Sequence, residues 1–352
     1  METPKMNRFV AALILLLPCA AVADPVGYQE LDLPATGTQR ALHVTLWYPA
    51  QPAPTATIGG NPVFVGFDAA AGARPASGKH RLVLLSHGYG GSAKNLGWLA
   101  ADLAAQGYIV AAPDHPGTNT ADMGQSGATR LAGRPGDISH VIDGLLADPL
   151  WSSLLVADRI AAIGHSLGGW TVLSNAGARF DAARMRAMCA ADPQGSTCGE
   201  VRNLTSEAEL SGIAQVSRDP RIAAVVALDP GVTRGFDPAS LGAITVPALV
   251  IAAGTATPVL AGHKPLPLPD LGEARELVAA MPGATTRLST IPTATHFSFM
   301  AACKPGAGQF LGGSAVICAD ASPGDNAMAD RVALHANVSA EISRFLTQSL
   351  PQ

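Results

Sequence analysis

A serine set between glycines, a histidine far downstream and an aspartate between the two could together do covalent chemistry in this chain of 352 residues. The serine is Ser166, in Gly164-His165-Ser166-Leu167-Gly168-Gly169. A hydroxyl is a weak nucleophile. It attacks a carbonyl only when an adjacent base takes its proton and oriented N–H groups take the charge that builds on the oxygen. The G-x-S-x-G spacing serves this chemistry when it joins a strand to a helix, because the sharp turn lifts the hydroxyl clear of the sheet. Here Arg159 to Ile163 reads as a buried strand and Trp170 to Ala176 as a helix start. Glycine is needed at 164 and 168, where a side chain would strike the neighbouring strand and helix. The Leu167 N–H then lies at a helix N-terminus, where negative charge is favoured.

Chain order narrows the partners, since in this arrangement the acid and then the histidine follow the serine. Of nine histidines, only His263, His296 and His335 lie beyond Ser166. His335 falls inside a long helical stretch, and His263 lies in a Pro-rich loop ahead of the last strand. His296 follows Thr286 to Ile291 by a short turn, at the strand edge where catalytic groups collect, and is the expected base. Two strands could supply the acid. Pro247 to Ala253 runs into Gly254-Thr255-Ala256-Thr257, which has no carboxylate. Ile222 to Leu228 runs directly into Asp229, the expected acid, with Asp237 and Asp270 as secondary candidates. Its task is to hold the imidazole tautomer and stabilise the imidazolium. The loop His87-Gly88-Tyr89-Gly90-Gly91 lets backbone approach an oxyanion closely, so the Tyr89 N–H is paired with that of Leu167.

The elements that must position these residues alternate. Arg81 to Ser86, Tyr108 to Ala112, Arg159 to Ile163, Ile222 to Leu228, Pro247 to Ala253 and Thr286 to Ile291 are short apolar runs. Helical stretches separate several of them: 94–106 with Gly107 as C-cap, a helix that Asp137 N-caps, and 273–281. Met328 to Leu346 closes the chain. Continuous apolar strands alternating with amphipathic helices predict an α/β fold with a mostly parallel sheet covered on both faces. The count suits eight strands. Ala41 to Tyr48 alternates as an edge strand, and Pro49 to Lys79 reads as loop with at most short strands. Insertions at about 180–219 and 302–325 break the rhythm and are expected to wall the substrate pocket.

The chain is 48% hydrophobic and 14% charged, with net charge −4 and no charge runs, so no nucleic-acid partner is expected. Residues 1–23 read as a signal peptide, with a basic start, an apolar core too short for a bilayer and Ala21-Val22-Ala23 as the cleavage site. Residues 24–352 are then one exported domain, periplasmic or secreted, with no stable membrane insertion. Cys189, Cys198, Cys303 and Cys318 remain. Their simplest connectivity, one of three, is Cys189–Cys198 and Cys303–Cys318, each stapling a loop in an oxidising compartment. The spacings do not suit paired zinc ligands, and no metal or cofactor is expected.

With these residues placed, the chain resembles the bacterial proteins called predicted dienelactone hydrolases, relatives of the plasma-type platelet-activating-factor acetylhydrolases. The matching stretches are Val44 to Pro49, Ser86-His87-Gly88, Ala112 to Gly117, Arg134 to Ile138, Gly164 to Gly169, Ala227-Leu228-Asp229 and His296 to Phe299. An acid after the sixth strand, not the seventh, points to this group. The resemblance implies an α/β-hydrolase fold, no metal, and hydrolysis of a small-molecule ester through an acyl-serine, with the triad on Ser166, Asp229 and His296. Dienelactone hydrolases proper have a cysteine nucleophile where this chain has Ser166. Two other readings compete. Gly88-Tyr89-Gly90-Gly91-Ser92-Ala93, with Asp114 downstream, matches a relaxed dinucleotide fingerprint of an oxidoreductase. A hydrolase fold without activity could instead hold a small molecule.

Overall fold

Leu82, Val83, Leu84 and Leu85 are consecutive and all buried. Successive strand residues face opposite sides of a sheet, so this strand is covered on both faces. The computed structural model describes residues 25–123, 130–193, 198, 212–213, 218–260, 266, 268–319 and 327–350. The expected signal peptide, His263 and part of each insertion lie outside these residues.

The strands are β1 (Val26–Leu33), β2 (Leu42–Pro49), β3 (Ala56–Ile58), β4 (Phe67–Ala71), β5 (His80–Ser86), β6 (Ile109–Asp114), β7 (Thr118–Asn119), β8 (Asp122–Met123), β9 (Leu155–His165), β10 (Ile222–Leu228), β11 (Ala248–Ala253) and β12 (Thr286–Ile291). Ten of them form one sheet in the order β12-β11-β10-β9-β5-β6-β2-β1-β4-β3, and β7 and β8 make a small separate hairpin. From β6 to β12 every pairing is parallel, while β2 runs antiparallel to both β1 and β6.

Eight strands were expected and ten join the main sheet. Ala41 to Tyr48, expected at an edge, becomes β2 inside the sheet, because β1, where no strand was expected, pairs along its outer side. The two at the edge, β3 and β4, come from the Pro/Gly-rich 49–79 stretch, expected as loop with at most short strands. Phe67 anchors them by packing its ring against Trp47 at 5.6 Å and Tyr28 at 5.8 Å. An edge of small residues thus gains an aromatic cluster that no local periodicity announces.

The helices are α1 (Gly97–Ala105), α2 (Gly133–Ala147), α3 (Pro149–Leu154), α4 (Leu167–Ala176), α5 (Ala182–Ala191), α6 (Pro238–Gly242), α7 (Leu271–Ala280) and α8 (Ala327–Ser349). They divide between the faces. Leu99 and Leu103 of α1 join Val338 and Ile342 of α8 over Val83 and Leu85. Ile138 and Val141 of α2, Trp170 of α4 and Leu277 of α7 share the core on the other face with Leu82 and Leu84.

One helix boundary is corrected. Asp137 was expected to N-cap its helix, yet α2 starts at Gly133 and Asp137 lies inside it, buried. The carboxylate pairs with Arg40 and with His115 Nδ1, a tertiary demand that overrides its capping preference. Both disulfides form as expected, with Cα separations of 5.4 Å for Cys189–Cys198 and 5.7 Å for Cys303–Cys318.

Candidate active site

Ser166 follows β9 and caps α4 in a conformation few side chains adopt, φ 57° and ψ −121°. The sheet and helix force this turn, and glycines make room for it. A Cβ on Gly164 would lie 2.0 Å from the Gly168 carbonyl oxygen, and one on Gly168 would lie 1.9 Å from the Ser86 carbonyl oxygen. Backbone bonds hold the serine from both sides: its N–H donates to Leu228 O at 2.9 Å and its carbonyl accepts from Gly169 N–H at 2.9 Å.

Asp229 lies at the end of the neighbouring parallel strand, β10, also at positive φ, 41°. Its N–H donates to Ile251 O at 2.7 Å, and its Oδ1 accepts from Ala253 N–H at 2.8 Å. The β11 end that lacks a carboxylate therefore holds the carboxylate of β10. The turn beyond Asp229 returns to the serine, with Gly231 N–H donating to Ser166 O at 3.2 Å.

His296 opens a short 3₁₀ turn after β12, anchored by Thr295 and Ser298. Its Nδ1 is 2.7 Å from Asp229 Oδ2 and its Nε2 is 3.0 Å from Ser166 Oγ. Residues separated by 130 and 67 positions thus form one hydrogen-bonded line. With Nδ1–H donating to the carboxylate, Nε2 is the acceptor for the serine proton. Thr257 Oγ1 accepts from His296 N–H at 3.2 Å, and His165 Nε2–H donates to His296 O at 2.9 Å. Burial, then the neighbouring His296, holds the His165 ring well below its ordinary pKa, so it is neutral.

Ser166 and His296 open into a cavity of about 280 Å³. Gly88, Tyr89 and Gly91 border it on one side, and Phe297, Met300 and Ile317 on another. Tyr89 keeps 40% of its surface exposed. Ile317 belongs to the disulfide-closed segment of the second insertion. The described part of the first insertion does not line this cavity. Its α5 packs instead against the turn after Asp229, where Arg184 Nε donates to Arg234 O at 3.2 Å. The expectation that both insertions wall the pocket is met by one of them among the described residues.

The secondary acid candidates have other duties. Asp237 caps α6 and Asp270 caps α7, and they pair with Arg179 and Arg234. His335 Nε2–H donates to Ser298 O at 3.0 Å, and its ring stacks on Trp98. Asp114 Oδ1 accepts from Ala93 N–H at 2.7 Å, so the acid of the apparent dinucleotide fingerprint folds back onto its own glycine loop. Among the described residues no group of three or more His, Cys, Asp or Glu is placed to hold a metal ion.

Comparison with known proteins agrees with this architecture. Residues 77–195 match the family described as Serine aminopeptidase, S33. That stretch is less than half of the chain and includes the Ser166 turn. No curated protein matches. Among solved structures, a ferulic acid esterase from Streptomyces cinnamoneus superposes with a TM-score of 0.61 at 24% identity, covering 94% of this chain and 91% of the other. The chain has the α/β-hydrolase fold. Within it, the expected Ser166, Asp229 and His296 meet at strand ends, and the Tyr89 and Leu167 segments flank the serine. Sequence reasoning missed Thr257 and the Ala253 N–H. Both follow from one available signal, their place at the end of the strand beside the acid.

Proposed function

We propose that this protein is an exported serine hydrolase of carboxylic esters that works through an acyl-serine on Ser166. The observation that carries the reading is the line Asp229 Oδ2, His296 Nδ1, His296 Nε2, Ser166 Oγ, with steps of 2.7 and 3.0 Å, at the mouth of an apolar cavity. His296 takes the serine proton as the hydroxyl attacks the ester carbonyl, and Asp229 stabilises the imidazolium. The Tyr89 and Leu167 N–H groups hold the oxyanion. The proton then passes to the departing alcohol, and His296 activates the water that releases the acid.

An ester is favoured over a peptide N-terminus by the cavity's chemistry. An aminopeptidase needs an anion for the terminal ammonium of its substrate. No described residue lining the Ser166 cavity is an aspartate or glutamate. Tyr89, Phe297, Met300 and Ile317 suit uncharged acyl groups of short to medium length, or lipid-type esters. The ferulic acid esterase neighbour supports adding aryl esters to that range. The dienelactone-hydrolase-like group is the proposed place of the chain within the fold. Export rests on residues 1–23 as a signal peptide and is supported by two disulfides. No helix among the described residues is long and apolar enough to cross a membrane.

The test is hydrolysis of p-nitrophenyl esters from acetate to palmitate, with Ser166→Ala in parallel. The reading predicts activity that the variant loses by at least ~10³. A folded, disulfide-bonded protein inert on every ester would instead favour a non-catalytic small-molecule binder.

A further inference from the structure

Ser86-His87-Gly88, His115-Pro116-Gly117 and Arg134 to Ile138 have no task in the proposed reaction, yet they meet in one buried polar cluster beneath the Tyr89 loop. Arg134 is its centre and is 0% exposed. Its Nε donates to Thr171 Oγ1 at 2.9 Å and its Nη1 to Thr118 Oγ1 at 2.7 Å. Its Nη2 donates to Ser86 Oγ at 3.2 Å and, more closely, to the His87 carbonyl. All four acceptors are neutral oxygens. Burying a guanidinium this way is costly, and apolar residues would fill the space at lower cost. The directed donors therefore do something that packing would not.

Those acceptors lie on the segments that carry the two proposed oxyanion donors. Thr171 is one turn along α4 from Leu167, and its hydroxyl donates to the Leu167 carbonyl at 3.0 Å. On the other side, His87 Nε2 accepts from His115 N–H at 3.0 Å, which places the ring proton on Nδ1. That Nδ1–H donates to the Gly88 carbonyl at 2.7 Å, and Gly91 N–H donates to the same oxygen at 3.1 Å. In a trans peptide the N–H points away from the C=O, so fixing the Gly88 oxygen aims the Tyr89 N–H. Thr118 closes the frame, because its carbonyl accepts from Gly90 N–H at 2.9 Å.

We infer that Arg134 is a positioning residue of the oxyanion site, tying the Leu167 helix to the Tyr89 loop and setting the spacing of their two N–H groups. It touches no reacting atom. The inference rests on the acyl-serine reading above. Ser86 accepts from Arg134 and lies 2.9 Å from His115 Nε2, and His115 Nδ1 faces Asp137. This second Ser-His-Asp line has no access to substrate and serves to brace the same frame.

The test compares wild type, Arg134→Lys and Arg134→Met for kcat, KM, unfolding midpoint and inhibition by a trifluoromethyl ketone matched to the best ester. The ketone adds to Ser166 as a tetrahedral oxyanion and so reports on the two N–H groups. Both variants should lose ~10² in kcat, the usual cost of one misplaced donor. KM should move by less than about threefold, while the ketone inhibition constant rises in step with the loss of kcat/KM. Lysine should not rescue, since it lacks the guanidinium fork. If both variants fail to fold, Thr171→Val decides, with about a tenfold loss in kcat and a parallel loss of ketone affinity. Folded variants whose ketone inhibition stays at the wild-type value would overturn the assignment, whatever happens to kcat. A wild type that neither hydrolyses esters nor binds the ketone would remove the acyl-serine reading itself.

Discussion

Asp229 is tied down at both oxygens, one by His296 and one by the Ala253 N–H. Asp229→Asn keeps the shape but offers an amide to Nδ1, which favours the wrong imidazole tautomer. Turnover should fall by ~10³ to 10⁴ with KM little changed. Asp237→Asn and Asp270→Asn should keep activity, because those carboxylates cap helices and pair with arginines. Steady-state kinetics on one ester separates the three, and comparable losses in all of them would sink the assignment. Backbone space makes an equally sharp prediction at Gly168. A Cβ there meets the Ser86 carbonyl oxygen at 1.9 Å, a backbone atom that cannot step aside cheaply. Gly168→Ala should abolish activity and lower the unfolding midpoint; a native-like midpoint with full activity would contradict the turn as described. Ser166, Asp229 and His296 were legible because motif, strand ends and chain order each point the same way. Arg134 was not, since its partner Thr171 lies 37 residues off and no local pattern joins them.

The second insertion is an element with a job. Cys303 and Cys318 close a loop with a sequence separation of 15, and buried Arg331 donates to the Ile317 carbonyl at 2.9 Å. Together they hold Ile317 at the cavity wall. Replacing both cysteines with serine should cost about 3 kcal/mol of stability and shift the acyl-length profile. Replacing Cys189 and Cys198 should lower stability and leave that profile alone, since the described part of that insertion stays clear of the cavity. Chain-length profiles of the two double variants check this, and identical behaviour would contradict it. The parallel strands were readable as apolar runs bounded by turns. The β3–β4 pair was not, because Ala56–Ile58 and Phe67–Ala71 are short and are held by distant aromatics.

At the scale of the whole molecule, the buried rings of His87, His115 and His165 stay neutral and set a pH dependence. Burial holds His87, His115 and His165 well below the ordinary 6.5. Below that value the unfolded chain binds protons that the folded chain refuses, so stability falls as pH falls. Each ring should cost ~1 kcal/mol between pH 6.5 and about 5.5. Asp114 and Asp137, raised by burial from 3.8, act in the opposite sense. From these rings the unfolding midpoint should be flat between about pH 7 and 8 and drop between pH 6.5 and about 5.5. A midpoint that rises on acidification through this window would contradict the neutral assignments. The central claim, that Ser166 carries an acyl group, has a more direct test. Wild type and Ser166→Ala are mixed with a p-nitrophenyl ester, quenched in acid within the first turnovers and digested for peptide mass analysis. The predicted result is a mass increase equal to the acyl group on the peptide containing Ser166, absent from the variant. Ester turnover with no such adduct, or with the adduct on another residue, would contradict the account.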